Sequence, residues 1–184
     1  MHYGASSAAN KGTYSMVPHD TDYTQTLGSP FISFYEKLMM NIHYRCLEKC
    51  GKNANAAKCA MGGFPNPRDC RICVCPSGYG GKLCDKRVLV SMFTRSNLTI
   101  LAAIGAPRGK KVEVKVMSFT GGIASDGCPY GGVEIKAHKD QRLTGYRFCA
   151  PENAGKTLIS HSNVLPVITY NRVNKTITTL EYHS

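Results

Sequence analysis

Apolar and polar positions alternate along much of the carboxyl-terminal half of the chain, as they do in half-buried β-strands. Between Val112 and Val116 every second residue is valine, and Glu113 and Lys115 fill the positions between them. This period of two gives a strand one apolar face. Three further stretches carry β-branched or alternating patterns: GGVEIKAH (131–138), NVLPVITYNRV (163–173) and KTITTLEYH (175–183). Several short strands at regular spacing predict an antiparallel sandwich over residues 86–184. The last two stretches are joined across residues Asn171 to Asn174, which predicts a hairpin.

The pattern changes to a helical period ahead of the cysteine-rich part of the chain. Phe34, Leu38 and Ile42 recur every four residues, which places them on one face of a helix. Ser33 precedes them and Glu36 follows Ser33 by three residues, the spacing of a capping box. Too few positions on this helix are polar for it to stand alone, so we expect it to pack against another part of the fold.

Six of the nine cysteines lie close together, between Cys50 and Cys84. Glycines and prolines surround them, so regular structure is expected there only as short hairpins. A zinc site is disfavoured, because Cys70, Cys73 and Cys75 lack the two Cys-x2-Cys knuckles of a four-ligand site. Cysteine density of this kind favours disulfides and an oxidising compartment. The six cysteines by themselves permit fifteen pairings.

Composition limits the cellular compartments and the classes of partner that are compatible with this sequence. The longest apolar run, LTILAAIGA, has nine residues, too few to span a bilayer. Asn97 and Asn174 begin N-glycosylation sequons, which indicate a secreted, extracellular protein, as the cysteines do. The net charge is +11, yet the longest basic cluster, Arg108 to Lys111, has no interleaved aromatic residues. We therefore expect no nucleic-acid partner and no membrane span. A solvated basic surface is favoured, and binding to an acidic polysaccharide stays open.

The last half of the cysteine cluster, CVCPSGYGGKLC (73–84), strongly resembles an epidermal-growth-factor-like (EGF-like) module. Its glycines supply turn positions with positive φ. Calcium binding by this module is not expected, because only Glu48 stands close before the first cysteine. The resemblance implies the family's first-to-third, second-to-fourth and fifth-to-sixth pairing, that is Cys50–Cys70, Cys59–Cys73 and Cys75–Cys84.

The segment before the cysteine cluster resembles the carboxyl-terminal part of an astacin-type zinc metallopeptidase domain. The resemblance rests on MHYG (1–4), on SMVPHDTDYTQTLGS (15–29) and on SFYEKLMMNIHYRC (33–46). The residues that fit the family's motifs are Met1, His2, Tyr3, Gly4, Pro18, Asp20, Tyr23, Thr26, Leu27, Gly28, Ser33, Phe34, Asn41, Tyr44 and Cys46. In nematode members of the family, an EGF-like module and then a β-sandwich called CUB follow the peptidase domain in this order.

The resemblance implies a zinc cofactor and assigns two residues of this chain to its site. Met1 is the Met-turn residue that would underlie the metal, and Tyr3 is the family's zinc ligand and transition-state stabiliser. The family's zinc-binding helix, His-Glu-x-x-His-x-x-Gly-x-x-His, is missing, and the six histidines contain no i, i+4 pair. We therefore expect the chain alone to hold no zinc and to be inactive. Cys46, whose partner in the family lies upstream, is expected to be unpaired.

The carboxyl-terminal stretch resembles the second half of a CUB domain. DGCPYGGVEIKAH (126–138) and GYRFC (145–149) carry this resemblance, which implies a Cys128–Cys149 disulfide. Gly131 stands where the calcium-site Asp of the family is expected, so calcium-dependent binding is not expected. The sandwich is then either an inert spacer or a surface that recognises substrate protein or extracellular matrix.

Together these patterns predict a multidomain, mainly β protein. Residues 1–46 would be a remnant of a metzincin catalytic domain (loops and one carboxyl-terminal helix), residues 47–85 an EGF-like module and residues 86–184 a CUB-like antiparallel sandwich. The implied function is that of a secreted zinc metalloendopeptidase that hydrolyses peptide bonds in proteins. The alternative is a non-catalytic extracellular protein-binding module. Residues 1–30 are expected to be unpacked, since their packing partners in the family lie upstream.

Overall fold

The computed structural model describes residues 2–87, 91–94, 97–173 and 175–184. The described chain is mainly β, which confirms the predicted class. It forms two compact units, each described by itself below. The two-sheet unit comprises residues 1–31, 90–139 and 145–184, and the disulfide-rich unit comprises residues 32–89 and 140–144. The expected division at residues 46 and 85 is a division into family modules and stays a prediction.

The elements of the described chain are short, as glycine, proline and polar turns along the sequence require. Two are 3-10 helices, η1 (Thr21–Thr26) and η2 (Pro151–Asn153), and two are α-helices, α1 (Phe34–His43) and α2 (Glu48–Gly51). The strands are β1 (Phe64–Asn66), β2 (Asp69–Val74), β3 (Tyr79–Gly80), β4 (Lys86–Arg87), β5 (Ser91–Thr94), β6 (Asn97–Gly105), β7 (Glu113–Thr120), β8 (Gly131–Ile135), β9 (Tyr146–Phe148), β10 (Thr157–Ile159), β11 (Val164–Asn171) and β12 (Ile177–His183).

The two-sheet unit consists of a five-stranded and a three-stranded antiparallel sheet. Their strand orders are β5-β6-β11-β8-β9 and β10-β7-β12. In β7 the burial alternates as the sequence pattern predicts, with Val114 and Val116 buried and Glu113 and Lys115 exposed. Both sheets contribute to one hydrophobic core, which contains Val112, Val114, Val116, Phe119, Val133, Ile135, Ala137, Tyr146, Phe148, Leu158, Leu165 and Val167. Each buried Val or Leu of this core stabilises the unit by roughly 1.5–3 kcal/mol.

The expected hairpin of the last two strands is wrong. β11 pairs with β6 and β8 in the larger sheet, whereas β12 pairs with β7 in the smaller one, where Leu180 lies opposite Val116. The two strands are neighbours in sequence but belong to different sheets. The alternation of apolar and polar residues predicts which face of a strand is buried. A strand in either sheet can bury that face, so the pattern does not predict the sheet to which β12 belongs.

The disulfide-rich unit is built on short hairpins joined by three disulfides. β1 pairs with β2, and β3 pairs with β4. The disulfides join Cys50 to Cys70, Cys59 to Cys73 and Cys75 to Cys84. Cys50 and Cys84 are buried, so sulfur takes much of the place of a hydrophobic core.

Helix α1 begins with the predicted capping box. The Ser33 hydroxyl accepts a hydrogen bond from the Glu36 amide at 3.1 Å, and the Glu36 carboxylate accepts one from the Ser33 amide at 2.6 Å. Phe34 is buried against Phe64, with ring centroids 5.6 Å apart. Ile42 is 58% exposed, so the buried face is shorter than the four-residue period predicts. Among the described residues, no helix is long and apolar enough to cross a membrane.

Residues 140–144 return to the disulfide-rich unit after β8. Arg142 forms an ion pair with Asp140 at 2.9 Å and lies over the Tyr35 ring, 5.1 Å from its centroid. The Tyr35 hydroxyl donates to the second Asp140 oxygen at 2.5 Å. The hydrogen bonds from Arg142 and Tyr35 hold the pKa of the Asp140 carboxyl well below its usual range. This carboxylate therefore fixes the returning segment to α1 at any pH near neutrality.

Candidate functional site

Tyr3, the residue assigned to zinc by resemblance, lies on an irregular segment with its side chain 65% exposed. Met1, the other assigned residue, lies outside the described residues. Ala5, two positions after Tyr3, is fully buried. The backbone of the amino-terminal segment is therefore packed against the sheets two residues after Tyr3.

The first attachment is made by Asp126, in the loop before β8. Its Oδ2 atom accepts hydrogen bonds from the Ser6 amide at 2.9 Å and from the Ser6 hydroxyl at 2.6 Å. A Cβ atom on Gly4 would overlap the Asp126 side chain, and one on Gly28 would lie 2.7 Å from the Gly4 Cα. Gly28 also has a φ of +80°, which glycine adopts without strain. Three distant chain segments meet here because two glycines leave room for them.

The second attachment is made by η1. Asp20 caps this helix by accepting from the Asp22 amide at 3.1 Å. The Gln25 carbonyl accepts from the Gly127 amide at 2.8 Å. The Thr26 hydroxyl accepts from the Arg147 amide at 3.0 Å, and Thr26 is buried. η1 thus takes up backbone donors of the Asp126 loop and of the edge strand β9, which would otherwise be unpaired.

A buried ion pair lies next to η1 and the Asp126 loop. Arg147 Nε is 3.0 Å from Glu134 Oε2, and both side chains are only 6% exposed. Glu134 Oε1 accepts from the Gly145 amide at 2.9 Å. The Arg147 guanidinium also donates to the Ser29 hydroxyl and, at 3.4 Å, to the Gly127 carbonyl. Both buried charges are therefore paired and hydrogen-bonded, as burial requires.

Aromatic rings cover the ion pair. The Arg147 guanidinium lies 4.9 Å from the Phe31 ring centroid, and Arg172 lies 4.2 Å from the same centroid. Phe31 meets Tyr170 edge-on at 5.3 Å. The Tyr170 hydroxyl donates to the Cys128 carbonyl at 2.9 Å, and burial raises the pKa of Tyr170 to about 12. The end of the amino-terminal segment is thus fixed by cation–π contacts as well as by polar ones.

Two further tyrosines join η1 to β9. The Tyr23 and Tyr146 rings lie 4.4 Å apart, and the Tyr146 hydroxyl donates to Asp20 Oδ2 at 2.7 Å. Burial and the Asp20 carboxylate raise the pKa of Tyr23 to about 12, and the same two causes raise the pKa of Tyr146. Both phenols stay protonated near neutral pH, so the Tyr146 hydroxyl remains a hydrogen-bond donor and both rings remain neutral packing surfaces.

The cysteines and sequons assigned from the sequence have the following places. Cys128 is joined to Cys149, whose Sγ lies 3.6 Å from the Gln25 side-chain oxygen. Cys46 is a free cysteine, half-buried after α1. Asn97 is the first residue of β6. Asn174 lies outside the described residues.

The described residues do not provide a zinc site. No group of three or more His, Cys, Asp or Glu side chains in this part of the chain could hold a metal ion. A catalytic zinc site needs three protein ligands and an open position, and Tyr3 would supply a single oxygen.

The expectation that residues 1–30 are unpacked is wrong for Ala5 and for residues 22–29, whereas residues 10–17 are exposed as expected. Ala5 and Thr26 are buried, and Asp126 and Arg147 contact this segment directly, while Glu134 pairs with Arg147. These three residues were not singled out from the sequence. In the sequence, Glu134 and Arg147 could have been recognised as charged residues within apolar stretches, GGVEI and YRF. Charged residues on buried strands are paired far more often than not, so each one predicts a partner.

Comparisons with known proteins find relatives along nearly the whole chain. Zinc metalloproteinase nas-31 of Caenorhabditis elegans is 41% identical over 100% of this chain and 33% of the relative. Zinc metalloproteinase nas-25 of the same organism is 34% identical over 92% of this chain and 49% of the relative. For zinc metalloproteinase nas-29 the identity is 32%, over 99% of this chain and 38% of the relative. The chain thus spans about a third to a half of the length of these relatives. No family model and no solved structure matches it.

Proposed function

The chain belongs to the astacin family of zinc metalloproteinases, and on this basis we propose that it serves in the zinc-dependent hydrolysis of peptide bonds in extracellular proteins. The observation that carries the proposal is the 41% identity to zinc metalloproteinase nas-31 along the whole chain. Because the chain spans 33% of that relative, the activity of a whole metalloproteinase is assigned to it here only as a proposal. Protein substrates follow from the same family.

We assign Tyr3 as the residue through which this chain contributes to a zinc site. Its side chain is 65% exposed, although Ala5 beside it is fully buried. The Asp126 contacts hold residues 4–6 on the two-sheet unit, and η1 holds residues 20–26 there. A phenol held at the surface on a fixed backbone can meet a metal that other residues bind. The 184-residue chain by itself is proposed to be inactive, since its described residues offer no metal-binding group.

A chimaera tests this proposal. The segment of nas-31 that matches this chain is replaced by residues 1–184, and hydrolysis of a fluorescent casein is measured with and without a chelator. We expect chelator-sensitive activity in the chimaera and none in the isolated chain. Tyr3→Phe in the chimaera should lower kcat by about 10²-fold, the loss typical of a missing transition-state donor. Tyr14→Phe is the matched control, because Tyr14 is also exposed (61%).

Two results would contradict the proposal separately. An inactive chimaera that is folded and loaded with zinc would contradict the peptidase function. A Tyr3→Phe chimaera as active as its parent would remove Tyr3 from the site and leave the family function standing. Zinc at one equivalent in the isolated chain after dialysis would show that the chain is complete enough to hold its metal.

We further propose that the chain is secreted, with an EGF-like module, a CUB-like sandwich and glycans at Asn97 and Asn174. The support is the presence of four disulfides, which persist in oxidising compartments. Expression through the secretory pathway of insect cells and treatment with an N-glycosidase tests the glycans. The mass should fall by two glycan masses, and by one in Asn97→Gln.

A second candidate function is a non-catalytic extracellular protein-binding module. It is favoured by the two compact units into which the chain divides. It predicts that the isolated chain retains a ligand whose binding is unchanged in Tyr3→Phe.

A further inference from the structure

An open groove of about 570 Å³ lies on the two-sheet unit, beside β10. Lys111, which precedes β7, and His138 and Lys139, which follow β8, contribute to its walls. Tyr146 of β9 and His161, after β10, also line it. The His138 ring stacks on the Tyr146 ring, with centroids 5.8 Å apart. The groove is thus bounded by residues from both sheets and has a planar aromatic surface.

The charged side chains that line the groove are all positive. Lys111 and Lys139 bring two exposed ammonium groups, and no Asp or Glu is found among the described residues that line it. Two carboxylates lie beside the lining without belonging to it: Asp20 accepts the hydrogen bond of the Tyr146 hydroxyl, and Glu113 lies opposite Ile159 on β7. A concave basic surface attracts and orients an anionic ligand.

One wall of the groove is a free strand edge. Among the described strands, β10 pairs with β7 alone, in the register that places Leu158 opposite Val114, and its outward edge ends where the His161 amide donates to the Ala137 carbonyl at 2.9 Å. The Ser160 amide donates to the Val112 carbonyl at 2.8 Å, so residues 158 and 160 are the ones whose backbone faces β7. Thr157 and Ile159 therefore direct their N–H and C=O groups away from β7, and both residues line the groove. Ile159 is 59% exposed.

A free edge and a basic wall fit one kind of ligand. An extended peptide can add to a sheet edge through backbone hydrogen bonds, while its side chains give specificity. Carboxylates on such a peptide would complement the two lysines. A polysaccharide would use the cations but would leave the outward N–H and C=O groups of Thr157 and Ile159 unused. The backbone groups therefore favour the peptide over the polysaccharide.

We propose that this groove binds an extended acidic segment of a protein, which adds to β10 as a strand and places carboxylates beside Lys111 and Lys139. The binding needs no zinc and no catalysis, so it is independent of the peptidase proposed above. The partner is a protein with exposed, extended and acidic sequence.

The test uses the intact 184-residue chain and a fluorescein-labelled peptide, Ser-Glu-Val-Glu-Val-Glu-Ser. Fluorescence anisotropy is measured at about 0.15 M salt, where exposed charges more than ~8 Å apart are largely screened. We expect saturable binding that weakens about tenfold in Lys111→Glu/Lys139→Glu. The control Lys52→Glu/Lys58→Glu makes the same change of net charge at exposed lysines of the disulfide-rich unit and should weaken binding less than twofold.

Two modified peptides separate the backbone contribution from the charge contribution. A peptide N-methylated at alternate residues on the binding edge cannot donate to β10 and should bind at least tenfold more weakly. A Gln-for-Glu peptide should bind more weakly as well. Equal binding of the N-methylated peptide would overturn strand addition. Equal losses in the two lysine pairs, binding of heparin with no binding of the peptide, or no saturable binding at all would each overturn the proposal.

Discussion

Arg147 and Glu134 face each other across neighbouring strands, with Arg147 Nε 3.0 Å from Glu134 Oε2 and both side chains 6% exposed. This pair connects the strands β8 and β9 to the amino-terminal segment, because the same guanidinium donates to the Ser29 hydroxyl. A buried pair of this kind is not a large net stabiliser, but removal of one partner leaves an uncompensated charge. The pair therefore fixes where residues 20–31 lie.

Arg147→Ala should destabilise the two-sheet unit by roughly 3–5 kcal/mol, because it leaves the Glu134 carboxylate buried without its partner. Urea unfolding followed by circular dichroism measures the change in the free energy of unfolding. The matched control is Arg71→Ala. Arg71 also pairs with a carboxylate, Asp69, at 2.9 Å, but its side chain is 77% exposed, so the expected loss is much smaller than in Arg147→Ala. Equal losses in the two variants would contradict the structural role of the buried pair.

Gly4→Ala should loosen the amino-terminal segment, because the new Cβ would overlap the Asp126 side chain. The expected cost is roughly 1–3 kcal/mol, as for other overpacked sites. Amide hydrogen exchange at residues 4–7 measures it and should become faster. Gly51→Ala is the control, since a Cβ there has no heavy atom within 4 Å. Unchanged protection at residues 4–7 in Gly4→Ala would show that the Asp126 contact does not hold this segment.

The half-buried tyrosines make the two-sheet unit less stable at alkaline pH. Tyr23 and Tyr170 each have a folded pKa raised from 10.0 to about 12, first because of burial. A raised folded pKa means that the folded chain binds the phenol proton more tightly than the unfolded chain does. The resulting stability is fully present below pH 10.0 and is lost as the pH rises toward about 12.

Phenolate absorbance at 295 nm tests this prediction over the same pH range. Of the ten tyrosines, the exposed ones should ionise first, and a late fraction should ionise together with unfolding. Tyr170→Phe should reduce the late fraction, whereas Tyr14→Phe should reduce the early one. A single midpoint near the ordinary tyrosine pKa, about 10, with the fold intact would contradict the burial of these phenols.

Cys46 should be the thiol that reacts in the native chain. Nine cysteines and four disulfides leave one sulfur unpaired, and Cys46 is half-buried at the end of α1. Titration with a chromogenic disulfide under non-denaturing conditions should count one thiol per chain, and Cys46→Ser should reduce the count to zero. A thiol that still reacts in Cys46→Ser would show that another disulfide is incomplete.

The sequence predicted those parts of the fold that depend on local pattern. The Ser33–Glu36 capping box and the alternation of Val114 and Val116 are present because each is decided by a few neighbouring residues. The placement of β12 beside β7 could not be read in the same way. The alternation of apolar and polar residues determines the buried face of a strand but does not determine which strand lies beside it.

The candidate site was less accessible to sequence reasoning. The contacts of Asp126 with Ser6 and of Arg147 with Ser29 join residues more than a hundred positions apart. Polar contacts of that kind leave no periodic signature in the sequence. Tyr3 was found through a family resemblance, and its role at a zinc site stays a prediction. The groove beside β10 depends on tertiary structure, because its lysines come from separate loops.

The chain crosses repeatedly between the two compact units, since residues 32–89 and the short segment 140–144 are both inserted into the two-sheet unit. A protease that cuts once near residue 89 would therefore release neither unit, because each contains chain from both sides of the cut. A cut within residues 140–144 would leave its two products joined through the Cys128–Cys149 bond. The two units thus cannot be exchanged between proteins as independent cassettes by recombination at a single point.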